Sequence, residues 1–336
     1  MGENKFKILI AHPYIPKFVT EMFHERGYIH VEQCIQKPGP TNQELRERLP
    51  GTYALIWWPD AANPNRCLTK ELLDLAGPNL RAVCTVSSGY DMIDVQEIKA
   101  RGILLGHMNQ VQDAAVAEMA VLLTLAATRR LKECHQDNGT KNYFSTEWSA
   151  DPEWMMGMDL PGSTVGIVGL GSIGKAILQR LKGFDVKKFL YTGRSPKPKS
   201  ETYDAEFVTF DELLNNSDYV IVACALTDDT RNMFDLKAFK KMKSTSILIN
   251  IARGGIIDQD ALYEALHTGI IWAAGLDVTT PEPLPVGHRL RTLPNCTIMP
   301  HRGSHTRRTR EGMFRLAAEN ILLALEGKPM RTPVRL

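Results

Sequence analysis

The stretch Ser163-Thr-Val-Gly-Ile-Val-Gly-Leu-Gly-Ser-Ile-Gly-Lys-Ala-Ile177 constrains this chain more than any other. A short apolar run, residues 165–168, meets glycines at 169, 171 and 174, and then Ile173, Ile177 and Leu181 recur at four-residue spacing. The pattern predicts a strand, a tight turn and a helix N-terminus, an arrangement in which backbone N–H groups and the helix dipole hold a pyrophosphate. Gly169 permits the turn, Gly171 lets phosphates approach the backbone, and Gly174 lets the helix pack close to the strand.

The end of the next strand selects the dinucleotide. Residues 188–192 read as that strand, followed by Gly193-Arg194-Ser195. Units that bind NAD carry an Asp or Glu about 20 residues after the glycines, which accepts from the ribose 2′-hydroxyl. Here the tip carries no carboxylate. A guanidinium at Arg194 pairs with a 2′-phosphate, Ser195 adds a hydroxyl, and Lys197 and Lys199 add positive potential. The expectation is NADP(H), with NAD(H) as the weaker choice; the alternative is a solvated basic turn.

A chain of 336 residues with 43% apolar content can build about two domains, each with its own core. A net charge of +2 gives no electrostatic argument for nucleic acid or membrane partners. The N-terminus has no apolar signal core, and Phe6 stands where a myristoylation pattern wants Ser or Thr. The longest apolar helical pattern, residues 114–127, is too short to span a bilayer and contains Glu118. Six cysteines (34, 67, 84, 134, 224, 296) show neither C-x-x-C nor zinc spacing and read as reduced thiols. The N-x-[ST] matches at Asn138, Asn215 and Asn295 are then fortuitous, and a cytoplasmic protein is expected.

Strand-like runs at residues 5–11, 54–58 and 80–86 alternate with helical patterns at 17–26 and 69–76, which argues for a parallel sheet. Asp113 is a good N-cap for a helix over 114–131, which ends in Arg129 and Arg130. Periodicity lapses from Cys134 to Pro161. Beyond the glycine motif, strands are predicted at 188–192, 219–224, 246–251 and 272–278, and a last helix at 309–326 before Gly327 and Pro329. The fold class is α/β with doubly wound parallel sheets. The nucleotide unit sits in the middle, flanked by pieces able to form one second domain.

Three polar groups follow predicted strands. Arg253 lies in Asn250-Ile-Ala-Arg-Gly-Gly255, Glu282 in Asp277-Val-Thr-Thr-Pro-Glu-Pro283, and His301 in Pro300-His-Arg-Gly-Ser304. Singly, each has a plain reading: a surface arginine, a solvated turn residue, a loop histidine. Together they supply a cation, an acid and an imidazole where ligands bind in open α/β sheets. Reduction of a 2-oxo acid needs that set. A guanidinium clamps the carboxylate and polarises the ketone, and an imidazolium protonates the oxygen as hydride arrives. A carboxylate beside an imidazole favours its charged form.

Over nearly its whole length the sequence resembles the D-isomer-specific 2-hydroxyacid dehydrogenases. Gly-Leu-Gly-Ser-Ile-Gly, Asn-Ile-Ala-Arg-Gly, Asp-Val-x-x-x-Glu-Pro and Pro-His-x-Gly occur in that family's order. Longer strings, Leu-Tyr-Thr-Gly-Arg194 and Gly-Leu-Asp-Val-Thr-Thr-Pro-Glu-Pro-Leu-Pro285, resemble the animal members that reduce small 2-oxo acids. The resemblance implies a catalytic triad of Arg253, Glu282 and His301. It implies pyrophosphate binding by the Ser172 and Ile173 amides, Ala252 among the cofactor contacts, and Asp277 near the nicotinamide amide. It places the substrate carboxylate on the backbone around Ser88 and Gly89. It also implies a cofactor domain of Rossmann type (113–302) inserted in a flavodoxin-like substrate domain made of both chain ends (1–112 and 303–336). A homodimer is implied, with an arm at about 131–160 through which Trp148 or Trp154 reaches the partner's pocket, or merely packs the interface.

Three positions depart from the family pattern. Arg302 follows His301 where an apolar or small residue is usual, and a cation there contacts an additional acidic group or turns away into a salt bridge. Ser88 makes the carboxylate loop more polar. Trp57 and Trp58 stand where smaller aliphatic residues line the pocket, and strand alternation leaves one of the pair to reshape it. His301 and His305 are four apart, but Pro300 and Gly303 oppose a helix, so no metal site is expected. The expected function is NADPH-dependent reduction of a small 2-oxo acid to the D-2-hydroxy acid, with glyoxylate or hydroxypyruvate as first candidates. The alternatives are a dinucleotide-sensing protein like the C-terminal-binding-protein corepressors, or a catalytically silent homologue.

Overall fold

A computed structural model of the chain describes residues 6–59, 65–137 and 155–336. The residues group into two compact units, Met1–Gln112 with His305–Leu336, and Asp113–Ser304.

The first unit carries a five-stranded sheet of β1 (Phe6–Ala11), β2 (Ile29–Gln33), β3 (Ala54–Trp57), β4 (Ala82–Thr85) and β5 (Leu104–Gly106), in the order β2-β1-β3-β4-β5. Every pairing is parallel. Such a sheet is covered on both faces, so its strands are apolar throughout. In β1, Ile8 and Ile10 join one core while Leu9 and Ala11 join the opposite one. The C-terminal helix Arg307–Leu325 closes the first of these cores with Met313, Phe314, Ala317 and Ile321.

This two-sided burial corrects the expectation for Trp57. Its side chain is 0% exposed in the core that holds Leu55 and Val83, and its indole N–H donates to the Arg66 carbonyl at 3.1 Å. It has no surface to offer a substrate. Trp58 turns to the other face, as alternation requires, but is buried there too, with its ring stacked on His12 at 4.4 Å and packed on Phe314.

The second unit carries seven strands: β6 (Thr164–Val168), β7 (Lys188–Thr192), β8 (Glu206–Phe207), β9 (Tyr219–Val222), β10 (Ile247–Asn250), β11 (Ala273–Leu276) and β12 (Cys296–Ile298). Their order, β12-β11-β10-β9-β6-β7-β8, is parallel throughout and is that of a doubly wound dinucleotide fold. Chain direction across the sheet reverses at β6, which pairs with β7 on one side and β9 on the other. Ligands bind at the carboxyl ends of strands beside such a switch point.

The helix predicted over 114–131 runs Asp113–Thr128, with Asp113 as its first residue rather than its cap. Arg130 adopts φ 53°, and a second helix, Leu131–Asp137, follows and runs into the segment from Cys134 where periodicity lapses. Trp148 and Trp154 lie outside the described residues, as does most of the expected arm. Among the described residues no helix is long and apolar enough to cross a membrane.

Candidate active site

The glycine loop joins β6 to the helix Ser172–Leu181. Gly169 sits at φ +99°, and a Cβ there would lie 2.8 Å from the Cys224 backbone, so no other residue fits. A Cβ at Gly174 would overlap the Gly169 carbonyl, which sets the close approach of helix to loop. At Gly171 the same Cβ would meet nothing within 4 Å. Gly171 is also the helix N-cap and has no side chain to cap with. The first-turn amides of Ser172 and Ile173 therefore face open space at the positive end of the helix dipole, which suits a pyrophosphate. Asp113 hydrogen-bonds the Ser172 side chain, and burial pushes its carboxyl up toward the neutral form, which an approaching phosphate tolerates better than an anion.

At the tip of β7, Gly193, Arg194 and Ser195 are all exposed. The Lys197 amide donates to the Tyr191 hydroxyl at 2.8 Å, which folds the turn back onto its strand. Among the described residues Arg194 has no ion pair or hydrogen bond, so its guanidinium is uncommitted. No carboxylate occupies residues 193–199.

Arg253, Glu282 and His301 follow β10, β11 and β12, which are neighbours in the sheet. Asn250 stands in register with Leu276, and Leu276 with Ile298, so the three loops leave the same edge side by side. Asn250, fully buried, shapes the first of them. Its side chain accepts from the Ala252 amide at 3.0 Å and donates to the Arg253 carbonyl at 2.9 Å. Gly254 then packs on the Thr279 backbone so closely that a Cβ there would overlap it. The guanidinium of Arg253 donates to the Ala252 carbonyl at 2.9 Å.

His301 and Glu282 form a direct pair, with Nδ1 of His301 2.9 Å from Oε2 of Glu282. Oε1 of Glu282 accepts from the Thr279 amide at 3.1 Å. The pairing fixes Nδ1–H as donor to the carboxylate and leaves Nε2 as the nitrogen able to exchange a proton. Burial pushes the Glu282 carboxyl up, but the hydrogen bond and charge of His301, the Thr279 amide and the charge of Arg253 outweigh it and hold the group below its ordinary value.

The loop carrying His301 is held by Asp277. The His301 amide donates to the Asp277 carbonyl at 2.7 Å, and the Arg302 and Gly303 amides donate to the two carboxylate oxygens at 2.7 and 2.8 Å. His301 thereby sits at φ +54°, a left-handed conformation that costs a non-glycine residue free energy and needs such support. Burial pushes the Asp277 carboxyl up against these amides. Asp277 was expected beside the nicotinamide; both its oxygens are engaged with the loop amides. Asn250, Thr279 and the clamping role of Asp277 escaped the sequence reading. Only the run of small and polar residues around each strand end hinted at them.

In the first unit, the Ser88 hydroxyl donates to the Met108 carbonyl at 2.8 Å, so its extra polarity is spent within the fold. Ser88 and Gly89 are both half-buried on the loop after β4.

Residues 121–303 match the family model described as the D-isomer specific 2-hydroxyacid dehydrogenase NAD binding domain. The chain is 50% identical over 307 residues to a mouse protein named glyoxylate reductase/hydroxypyruvate reductase, covering 91% of each. The human protein of that name is 49% identical over 268 residues, 80% of each chain. The chain belongs to the D-isomer-specific 2-hydroxyacid dehydrogenases. Two solved structures of this kind superpose over nearly the whole chain. One is a glyoxylate reductase from Paecilomyes thermophila, with a TM-score of 0.87 and 26% identity over 98% of both chains. The other is an NADPH-dependent glyoxylate/hydroxypyruvate reductase from Sinorhizobium meliloti in complex with NADP and malonate, with a TM-score of 0.80 and 27% identity over 98% of this chain and 97% of that one. Membership fixes the coarse chemistry: a nicotinamide dinucleotide as cofactor, and reduction of a 2-oxo acid by a 2-hydroxyacid dehydrogenase.

The site makes stability depend on pH through Glu282. Its carboxyl is lowered in the folded chain, so its contribution is fully present above the ordinary value of 4.5 and is lost as pH falls through the folded value. The thermal midpoint of Glu282→Gln is therefore expected to lie below the parent's at pH 7 and to converge on it only as the pH falls below that lowered value. A gap that stays constant with pH would contradict the assignment.

Proposed function

We propose that the chain reduces a small 2-oxo acid, hydroxypyruvate or glyoxylate first, to the 2-hydroxy acid with NADPH, giving the D enantiomer where the product is chiral. The observation that carries this reading is the His301–Glu282 pair at 2.9 Å, on the loop edge shared with Arg253. Bound at the glycine loop, a reduced nicotinamide dinucleotide supplies the hydride. Arg253 holds the substrate carboxylate and polarises the ketone. His301 gives the proton on Nε2 to the ketone oxygen as the alcohol forms. Glu282 keeps the ring oriented and stabilises its charge while that proton is held. The reading includes a homodimer built on the helix Asp113–Thr128, whose Leu122 is 49% exposed.

The test is stereochemical. The glycerate formed from hydroxypyruvate should be the D enantiomer; an L or racemic product would sink the reading.

Selectivity for NADPH rests on Arg194, exposed and uncommitted at the tip of β7. Arg194→Ala removes a charge-assisted contact and should weaken NADPH binding about 10–100-fold while leaving NADH binding nearly unchanged. Equal loss for both cofactors, or none for either, in a titration of nucleotide fluorescence would show that the phosphate is held elsewhere.

A further inference from the structure

Arg302 stands one residue beyond the proposed proton donor, and its backbone cannot drift. Its own amide and that of Gly303 are bound to the Asp277 carboxylate, and a Cβ at Gly303 would approach Oδ2 of Asp277 to 2.9 Å. The Arg302 side chain is nevertheless exposed, and among the described residues it has no ion pair and no hydrogen bond. Within this unit Arg180 pairs with Glu118 and Arg289 with Asp260, whereas Arg302, like Arg194 at the tip of β7, has no such partner among the described residues. The carboxylates that His301 and its loop touch are already engaged. Both oxygens of Asp277 are taken by loop amides, and both oxygens of Glu282 by His301 and Thr279. The residue after His301 thus carries an exposed guanidinium with no protein partner among the described residues, and Arg253 places a second cation near Glu282. One carboxylate on the substrate uses one of the two guanidinium groups. A monoanionic substrate held by Arg253 leaves Arg302 unpaired, whereas a second anionic group on the substrate would neutralise Arg302 and accept its paired N–H donors.

We propose that Arg302 is a specificity residue that favours 2-oxo acids carrying a second anionic group. The inference rests on the reductase reading above and names the substrate class for that same site. Arg253 then takes the carboxylate next to the ketone, and Arg302 takes the distal one.

The matched pair oxaloacetate and pyruvate, which differ only by one carboxylate, isolates this contact. With NADPH saturating, the ratio of kcat/KM for oxaloacetate to that for pyruvate should fall about 10–100-fold from the parent to Arg302→Met, the loss expected for one hydrogen bond to a charged group. An unchanged ratio overturns the proposal. A second arm uses binding alone: calorimetry of D-malate and D-lactate on the NADP-loaded chain. Preference for D-malate that disappears in Arg302→Met supports the anion contact even if neither oxo acid turns over, in which case the reductase reading alone has failed. Equal affinity for the two hydroxy acids in the parent overturns the anion contact directly.

Discussion

Replacing His301 with alanine is expected to lower turnover about 10²–10⁴-fold, the contribution of a positioned proton donor. The geometry makes the loss specific to chemistry. Nδ1 is committed to Glu282, so no other described group on this loop edge offers a ring nitrogen to the ketone. The glycine loop is built from residues 169–174 and does not depend on His301, so nucleotide affinity should change little. Alanine at φ +54° adds backbone strain of its own. His301→Asn separates the two effects, because asparagine tolerates the left-handed region but carries no titratable proton. Both variants should lose turnover with NADPH still bound. Parental turnover in either one would remove His301 from its role.

The second large effect is expected at Asp277. Its carboxylate satisfies the Arg302 and Gly303 amides, and Gly303 is buried. In Asp277→Ala two amides lose a charged acceptor; the buried Gly303 donor left unpaired costs about 1–3 kcal/mol, and the part-buried Arg302 amide less. A total of about 2–4 kcal/mol is a large share of the ~5–15 kcal/mol that holds a typical domain. The thermal midpoint should fall by something on the order of 10 °C. Turnover should fall with it, since His301 loses the support that keeps it left-handed. Because the carboxyl is buried and pushed up, Asp277→Asn tests the same contact with little change in shape. One of its two acceptors becomes a donor facing an amide, so its midpoint should lie between parent and alanine variant. Parent-like stability and turnover in both variants would show that the loop is held by other contacts.

The parallel α/β fold was legible because its central strands are buried on both faces and read as apolar runs between turns. β7, residues 188–192, matches its predicted span from end to end. What stayed illegible lies at the edges. β2 alternates His30 and Glu32 with apolar neighbours and is only partly covered, while β5 and β8 are three and two residues long. None offers enough periodicity to register. The two tryptophans show the complementary limit. Alternation correctly sends Trp57 and Trp58 to opposite faces, but only the structure shows that helices cover both, leaving neither ring free.

The candidate site divides along the same line. Arg253, Glu282 and His301 were visible as polar residues at strand ends, where the fold binds ligands. The residues that hold them were not. Asn250 and Asp277 act on backbone amides of their own or a neighbouring loop, and that depends on β10, β11 and β12 standing side by side, which spacing in sequence does not encode.

The central claim is that this loop edge carries out NADPH-dependent reduction of a 2-oxo acid. The most direct test is the initial rate of NADPH absorbance loss with hydroxypyruvate and the purified chain, run beside the same assay with NADH. Sustained turnover, faster with NADPH than with NADH and abolished in His301→Asn, is the predicted result. NADPH that binds but is not consumed with hydroxypyruvate, glyoxylate, pyruvate or oxaloacetate would contradict the account.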